Sequence, residues 1–447
     1  MGLIVFALNK SDNFVQKTGM ELWNEFTPSS IDDWKNKILK DLKIESLERI
    51  NWTNSIGTID PIIDQCAEIN SVNSSSNLSI NADFNLENKF SNEVLLYALK
   101  CGVNSISLKG IPSKKSLNGV MHEIISTHIQ FSSENFSKEH EFWNKYINQY
   151  NGTINGSFRY DPINYFALNG HWLTSKEEQL SSWNKFYQST QTNSLKSIYI
   201  DGSIYGNSLA NPVQEIAFTI AHLNEYLNLI SSKENLHKII VKVSVGNSYF
   251  IEIAKIRALR KLIKAVSNHH NIDVNIQIET TTNKARLSPI NKELNLLRLT
   301  TFSMASILGC VDILTINPEA INDTDLLKAI RLATNIPIIL NEESHFLKVN
   351  DPTRGAYAIE QITSLLKDNS WKLFKEIEEY GGWIEFIQSS SPQKSCSKNA
   401  EIYIDSIIQH NESIVGFNKY SYKDVKLKSV PFTSSAAFNE VNLESIV

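Results

Sequence analysis

The sequence predicts an α/β fold built around a parallel sheet, and three observations carry that expectation. Short apolar, β-prone runs recur at 78–84, 105–109, 128–131, 157–160, 197–201, 239–245, 274–279 and 311–317. Helical patterns separate them, at 92–101, 139–150, 176–188, 212–230, 249–266 and 292–308. Within 249–266, Ile253, Ile256, Leu259, Ile263 and Val266 step at helical spacing, with lysines and arginines opposite. About eight strands, each followed by a helix, is the pattern of a (β/α)8 barrel. A doubly wound sheet gives the same local signal, so periodicity leaves both open.

The elements before and after this region differ in character. Residues 20–76 read as an N-terminal arm. In it Ser30-Ile31-Asp32-Asp33-Trp34 begins an amphipathic helix with Ser30 as cap, and Ile38, Leu39 and Leu42 share one face. Residues 71–77 (S-V-N-S-S-S-N) form a polar linker. The α/β domain is expected over 77–385. Near its end lies L-N-E-E-S-H-F-L-K-V-N-D-P-T-R-G-A-Y, residues 340–357. Here 336–340 reads as a short buried strand that delivers Glu342, Glu343 and Ser344 to a rim. Asp351-Pro352 reads as a helix N-cap followed by proline at the first helical position. A long helix over 356–380 then ends at Gly381-Gly382. The two glutamates suit acid/base work, although solvated rim charges are the commoner case. Residues 386–447 form a C-terminal extension with one helix, 399–409, and a polar tail. No internal repeat is visible.

Composition sets limits. The chain has 447 residues, 42% hydrophobic and 20% charged, which is ordinary for a soluble globular protein. Its net charge of −5 gives no electrostatic case for nucleic acid or an anionic membrane. Cys66, Cys101, Cys310 and Cys396 are scattered, with no C-x-x-C pair, so neither a zinc site nor a disulfide framework is suggested and a reducing cytoplasm fits. The apolar run 3–8 is too short for a secretory or transmembrane segment.

Several motifs together resemble the methylmalonyl-CoA mutase family. Residues 340–357 resemble its E-E-S…V-x-D-P-x-G-G-S-Y signature. Residues 297–309 resemble V-R-T-T-x-E-A-M-A-A-V-L-G-G, and F-I-E-I-A-K-I-R-A at 250–258 resembles F-M-E-I-A-K-x-R-A. Glu378 to Gly382 resembles E-x-x-G-G, and I-V-G-F-N-K-Y at 414–420 resembles a segment just beyond the family's barrel. The blocks keep the family's order from about residue 195 to 420. The resemblance implies a (β/α)8 TIM barrel. It also implies an arm opening like F-x-P-x-S-x-x-x-W. Residues 1–19 match nothing in the family, so the expectation is that they are an upstream over-call and translation starts at Met20. Intact mass of the native protein tests this.

Catalytic members of that family interconvert methylmalonyl-CoA and succinyl-CoA by radical chemistry on adenosylcobalamin. The resemblance therefore implies a cobalamin-binding domain with Asp-x-His-x-x-Gly, and none of the ten histidines sits in that motif. The family's G-Y-H-M-Q-E-A-G reads G-S-I-Y-G-N-S-L at 202–209, so the histidine position is Ile204, followed by Tyr205. An aliphatic side chain neither donates a proton nor polarises a carbonyl. The substrate-contact arginine of A-P-R-L-S-F-F falls on Lys238, and the histidine of H-C-Q-T-S-G falls on Glu279. These four residues are candidates for a vestigial pocket. Glu342, Glu343, Ser344, Asp351, Gly355 and Tyr357 mark the family-motif rim. Arg354 and Ala356 depart from the motif's glycine and serine. The arm's R-x-Y-A-G tyrosine motif is absent from 57–61, and Glu319-Ala320 matches the ribose-contacting D-E-A only with gaps.

No catalytic residue and no metal ligand is assigned. His269-His270 is expected at a solvated helix end and His345 in a turn. Trp34, Trp52, Trp143, Trp172, Trp183, Trp371 and Trp383 are expected as core or interface anchors. The resemblance is to the family's small subunit, which pairs with a large catalytic subunit that binds the adenosylcobalamin. This chain binds no cofactor on that expectation, and no cobalamin-binding domain is expected in it. The alternatives are an active isomerase barrel that borrows a separately encoded cobalamin subunit, and a stand-alone acyl-CoA-binding barrel.

Overall fold

The structure is a computed structural model that describes residues 29–54, 56–60, 78–85, 92–110, 123–124, 128–132, 155–190, 195–230, 237–318, 321, 325–421, 427 and 436–446. The expectations for Met20 and residues 1–19, the linker 71–77, the helix 139–150 with Trp143, and Glu319-Ala320 lie outside them. The chain divides into two compact units, residues 1–53 with 58–65, and residues 54–57 with 66–447.

The first unit carries helix α1 (Ile31–Leu42). Its start is the expected capping box: Ser30 Oγ accepts the Asp33 N–H at 3.1 Å, and the Asp33 carboxylate accepts the Ser30 N–H at 2.9 Å. None of the residues of α1 is buried. Strands β1 (Trp52–Asn54) and β2 (Gly57–Ile59) pair with each other.

The second unit holds eight parallel strands. They are β3 (Ser79–Asn85), β4 (Ser105–Lys109), β5 (His128–Ser132), β6 (Asn155–Arg159), β7 (Ile198–Asp201), β8 (His237–Val245), β9 (Val274–Thr282) and β10 (Ile313–Thr315). All eight expected strands are present. Sequence neighbours pair from β3 to β6 and from β7 to β10, and β10 returns to β3 with Ile313 opposite Ser79 and Thr315 opposite Asn81. The seam between β6 and β7 has no strand ladder. It is stitched by the Phe158 N–H on Leu195 O at 3.0 Å and by Ser197 Oγ donating to Phe158 O at 2.8 Å. The sheet thus closes on itself as a (β/α)8 barrel, not a doubly wound sheet.

The helices follow as α2 (Asn92–Lys100), α3 (Pro162–Asn169), α4 (Lys176–Ser189), α5 (Ser203–Asn207), α6 (Pro212–Leu229), α7 (Tyr249–His269), α8 (Lys292–Leu308), α9 (Leu326–Glu342), α10 (Tyr357–Tyr380), α11 (Trp383–Gln388) and α12 (Ser391–Ile408). The apolar stripe expected on α7 is buried. So are Lys255, against Glu215 and Ser244, Arg260, against Asp312, and Arg257, beneath α10, which packs across α6 and α7 as a second layer. Of the tryptophans, Trp183 and Trp383 are core residues, whereas Trp34 and Trp52 of the first unit are exposed.

Three expectations in the C-terminal third of the chain are corrected. Residues 336–340 are not a strand; they are the last turns of α9, which accommodates Pro337. Ala329, Ile330, Ala333, Pro337 and Leu340 form its buried stripe, and five apolar residues in a row do not separate helix from strand. Asp351 is not an N-cap, since α10 starts at Tyr357 with Ala356 in the cap position. The helix expected at 399–409 begins earlier, at Ser391 with Pro392 in its first turn. The expected end of α10 holds: Gly381 takes φ 124°, and its N–H reaches Glu378 O at 3.1 Å. Among the described residues, no helix is long and apolar enough to cross a membrane.

Candidate functional site

The C-terminal ends of the barrel strands open into a cavity of about 970 Å³. Barrel enzymes place their sites at this end. Its floor is made by strand ends, with Asp83 from β3, Arg159 from β6, Tyr199 and Asp201 from β7, and Lys242 from β8. Strand alternation explains who points inward. Along β8, Lys238, Ile240, Lys242 and Ser244 share one face. Ile240 packs with Tyr199 and Ile313 inside the barrel.

Below the floor, Glu279 on β9 receives both guanidinium arms of Arg159, and Thr315 Oγ1 donates to it at 2.8 Å. Arg159 also lies over the Tyr199 ring, 4.9 Å from its centroid. Lys242 Nζ sits 3.4 Å from Asp83 and 3.6 Å from Glu279. Burial alone would lower the Lys242 pKa, but Asp83 and then Glu279 hold it well above the ordinary lysine value. Burial would raise Asp83, yet Lys242 and Arg159 pull it below the usual carboxylate range. Burial keeps Asp201 above that range. From Ser107, which lines the cavity beside Asp83, a network runs inward in which Ser107, Asn81, Ser105 and Gln130 bond one another at 2.9–3.2 Å. The barrel interior is therefore closed by its own side chains at the level of the Arg159–Glu279 pair.

The wall on the β6–β7 side is fixed by Asp161. Its carboxylate accepts Tyr226 OH at 2.7 Å, His222 Nε2 at 2.9 Å and the N–H groups of Asn164 and Asp201 at 2.9 and 3.1 Å. Tyr205 OH lies 3.0 Å from His222 Nδ1 and accepts the Trp383 indole N–H at 2.9 Å. With its hydrogen bond taken from Trp383, the Tyr205 hydroxyl donates to Nδ1, which leaves the proton on Nε2 facing Asp161.

Of the four expected pocket residues, one lines the cavity. Ile204, on α5, is 4% exposed and forms part of the wall. Tyr205 is corrected: it points behind α5 into the Trp383–Phe218–Phe438 aromatic cluster. Lys238 is also corrected, because it lies four residues down β8, where Nζ donates to Gly156 O at 2.8 Å. Glu279 lies under the floor, committed to Arg159. Lys242 is the residue the sequence reading missed. Lys242-Val243-Ser244-Val245 fits R-L-S-F of the family strand with its serine in register, whereas Lys238 does not. Arg159, Asp83, Asp161 and Asp201 carry no motif and were found only through the strand ends they occupy.

Burial, and then Arg159, pushes the Lys238 amine down to about 8. An unfolded lysine titrates near 10.4, so between pH 8 and 10 the unfolded chain binds more protons and stability rises with pH. Lys238→Met is expected to raise the urea midpoint at pH 7 and to flatten that rise. An unchanged pH dependence in the variant contradicts this.

The rim expected from residues 342–357 is elsewhere. Leu326 and Ile330 of α9 line the mouth. Glu342 lies twelve residues beyond Ile330, roughly 18 Å down the helix. Glu342, Glu343 and Ser344 are exposed there, and Tyr357 is exposed at the start of α10. Gly355 takes φ 77° and its N–H reaches Glu360 at 3.2 Å. Asp351 pairs with the buried Arg257. The motif residues of α6 and α7 are buried charges too. Lys255 donates to Glu215 and to Ser244 O at 2.7 Å and lies 2.6 Å from Glu252. His270 meets Asn224 at 2.7 Å, as suits a helix end, and His345 occupies a left-handed turn, φ 58°.

Gly206 is fixed by this same cluster. A Cβ there would fall on Ser244 Oγ and lie 2.5 Å from Glu215 Oε1, both immobilised around Lys255. Gly206→Ala is expected to destabilise by about 1–3 kcal/mol, as overpacking does. Thermal melting checks it, and an unchanged midpoint refutes it.

The sequence model of methylmalonyl-CoA mutase matches residues 100–446. The chain is 29% identical over 219 residues to a methylmalonyl-CoA mutase small subunit from Porphyromonas gingivalis, covering 46% of this chain and 35% of that protein. It is 27% identical over 347 residues to the large subunit from the same organism, covering 72% and 47%. It is also 27% identical over 337 residues to the mitochondrial enzyme of Bos taurus, covering 70% and 43%. The matches thus span less than half the length of these relatives. A match over most of the chain, on a closed barrel whose motif charges are buried in pairs, shows that the chain belongs to the methylmalonyl-CoA mutase family.

Proposed function

We propose that this chain is the small, non-catalytic subunit of an adenosylcobalamin-dependent methylmalonyl-CoA mutase. It pairs with a large subunit that binds the cofactor and performs the isomerisation. The observation that carries this reading is Ile204 on the cavity wall, where the resemblance puts the family's histidine. The Arg159–Glu279 pair supports it, because those two side chains are committed to each other inside the barrel.

The mouth does not fit adenosylcobalamin. Part of its rim is occupied by Glu440, Asn442 and Glu444. Adenosylcobalamin chemistry is therefore assigned to the partner. The arm, residues 20–76, is the proposed pairing element. Within it α1 leaves Trp34 and Leu42 exposed, and burial of such apolar surface drives stable association. Co-expression with a large subunit should yield a complex that co-elutes and isomerises methylmalonyl-CoA, while the single chain stays inactive. A monodisperse monomer without affinity for that subunit overturns the proposal.

A further inference from the structure

We propose that segment 436–446 is an intramolecular cap that seals one side of the barrel mouth and bars a second domain from that face. The inference does not depend on the pairing with a large subunit. It starts from how firmly the segment is tied to the rim. The Phe438 N–H donates to Ala167 O at 2.8 Å, and the Val441 N–H donates to Asn207 O at 2.8 Å. Gln393 Nε2 donates to Ala436 O at 2.9 Å.

Between these ties the side chains alternate in role. Phe438, Val441 and Leu443 are buried, Phe438 against Tyr205 and Trp383, and the other two in a cluster with Leu209, Ala285 and Phe417. Glu440, Asn442 and Glu444 line the cavity. Glu440 clasps two rim loops at once, taking Lys284 Nζ at 2.7 Å and Asn207 Nδ2 at 3.3 Å. Asn207 closes α5, which also carries Ile204, and Lys284 follows β9.

A domain that presents a cofactor to a barrel approaches its C-terminal face, since the substrate site lies there. On this barrel the chain already covers that approach on the side of Ile204. The segment thus works as a fixed cover over this side of the mouth, distinct from the loss of the histidine.

Two measurements on the full chain test it. Hydrogen exchange should show the Phe438 and Val441 amides at least about 100-fold slower than in an unfolded chain, as for amides in the stable core. Exchange of either at the unfolded rate refutes a closed cap. In a Ile204→Cys variant, a maleimide carrying a bulky polymer should label slowly, against the background of the same chain with Ile204 intact. Lys284→Gln with Glu440→Gln should speed labelling about three- to fivefold, the range a partly exposed ion pair permits. The swapped pair, Lys284→Glu with Glu440→Lys, should restore the slow rate. Equal rates in all three backgrounds overturn the proposal.

Discussion

Replacing Arg257 with alanine is expected to cost the fold about 3–5 kcal/mol, the range for breaking a buried ion pair from one side. Arg257 is fully buried on α7. One arm of its guanidinium meets the Asp351 carboxylate and Thr353 Oγ1, and the other donates to Glu360 at 2.8 Å. Removing it leaves two carboxylates at 7% and 3% exposure without their cation. The geometry also explains why the V-x-D-P motif persists far from the mouth. Asp351 and Glu360 flank the turn at Gly355, so a single arginine fixes both the entry to α10 and its packing on α7. Arg257→Lys keeps the charge but not the fork that serves both acids, and it should recover only part of the loss. Urea unfolding of the two variants measures this. A loss under about 1 kcal/mol for Arg257→Ala would place the pair in the class of weak surface bridges.

Strand and helix periods alternate cleanly enough to place the eight barrel strands in the sequence, but they fit a doubly wound sheet equally well, and the barrel was expected from the motif resemblance. What failed was confined to places where local pattern and tertiary position part. The run 336–340 is apolar enough for a strand, but it belongs to a helix that starts at Leu326 and buries Ile336, Pro337 and Leu340 on one stripe with Ala329, Ile330 and Ala333. That error moved Glu342 and Glu343 to the wrong end of the barrel. Lys238 and Lys242 share a face of β8, and only depth along the strand decides which meets the cavity. Arg159 and Glu279 are 120 residues apart, so neither spacing nor motif could pair them. Ile204 was readable because a gapless motif fixed its place on the wall.

The largest internal effect is expected at Glu279. Glu279→Ala leaves Arg159, 3% exposed, and Lys242, 12% exposed, inside the barrel without their shared anion. Such a change typically costs about 3–5 kcal/mol, and Arg159→Ala should cost a similar amount because Glu279 is then the orphan. Replacing both partners with alanine removes both members of the pair, so neither is left as the orphan. The double variant should therefore stand well above either single variant, with a coupling of about 1–3 kcal/mol in a double-mutant cycle. Lys242 sharpens the test. It keeps Asp83 when Glu279 is lost, so Glu279→Ala should be milder than Glu279→Ala combined with Asp83→Ala. Additive losses in the cycle would show that Arg159 and Glu279 merely lie near each other. Strong coupling would show that the floor of this barrel is held shut by a pair of charges, in the place where a catalytic barrel has to leave room for its substrate.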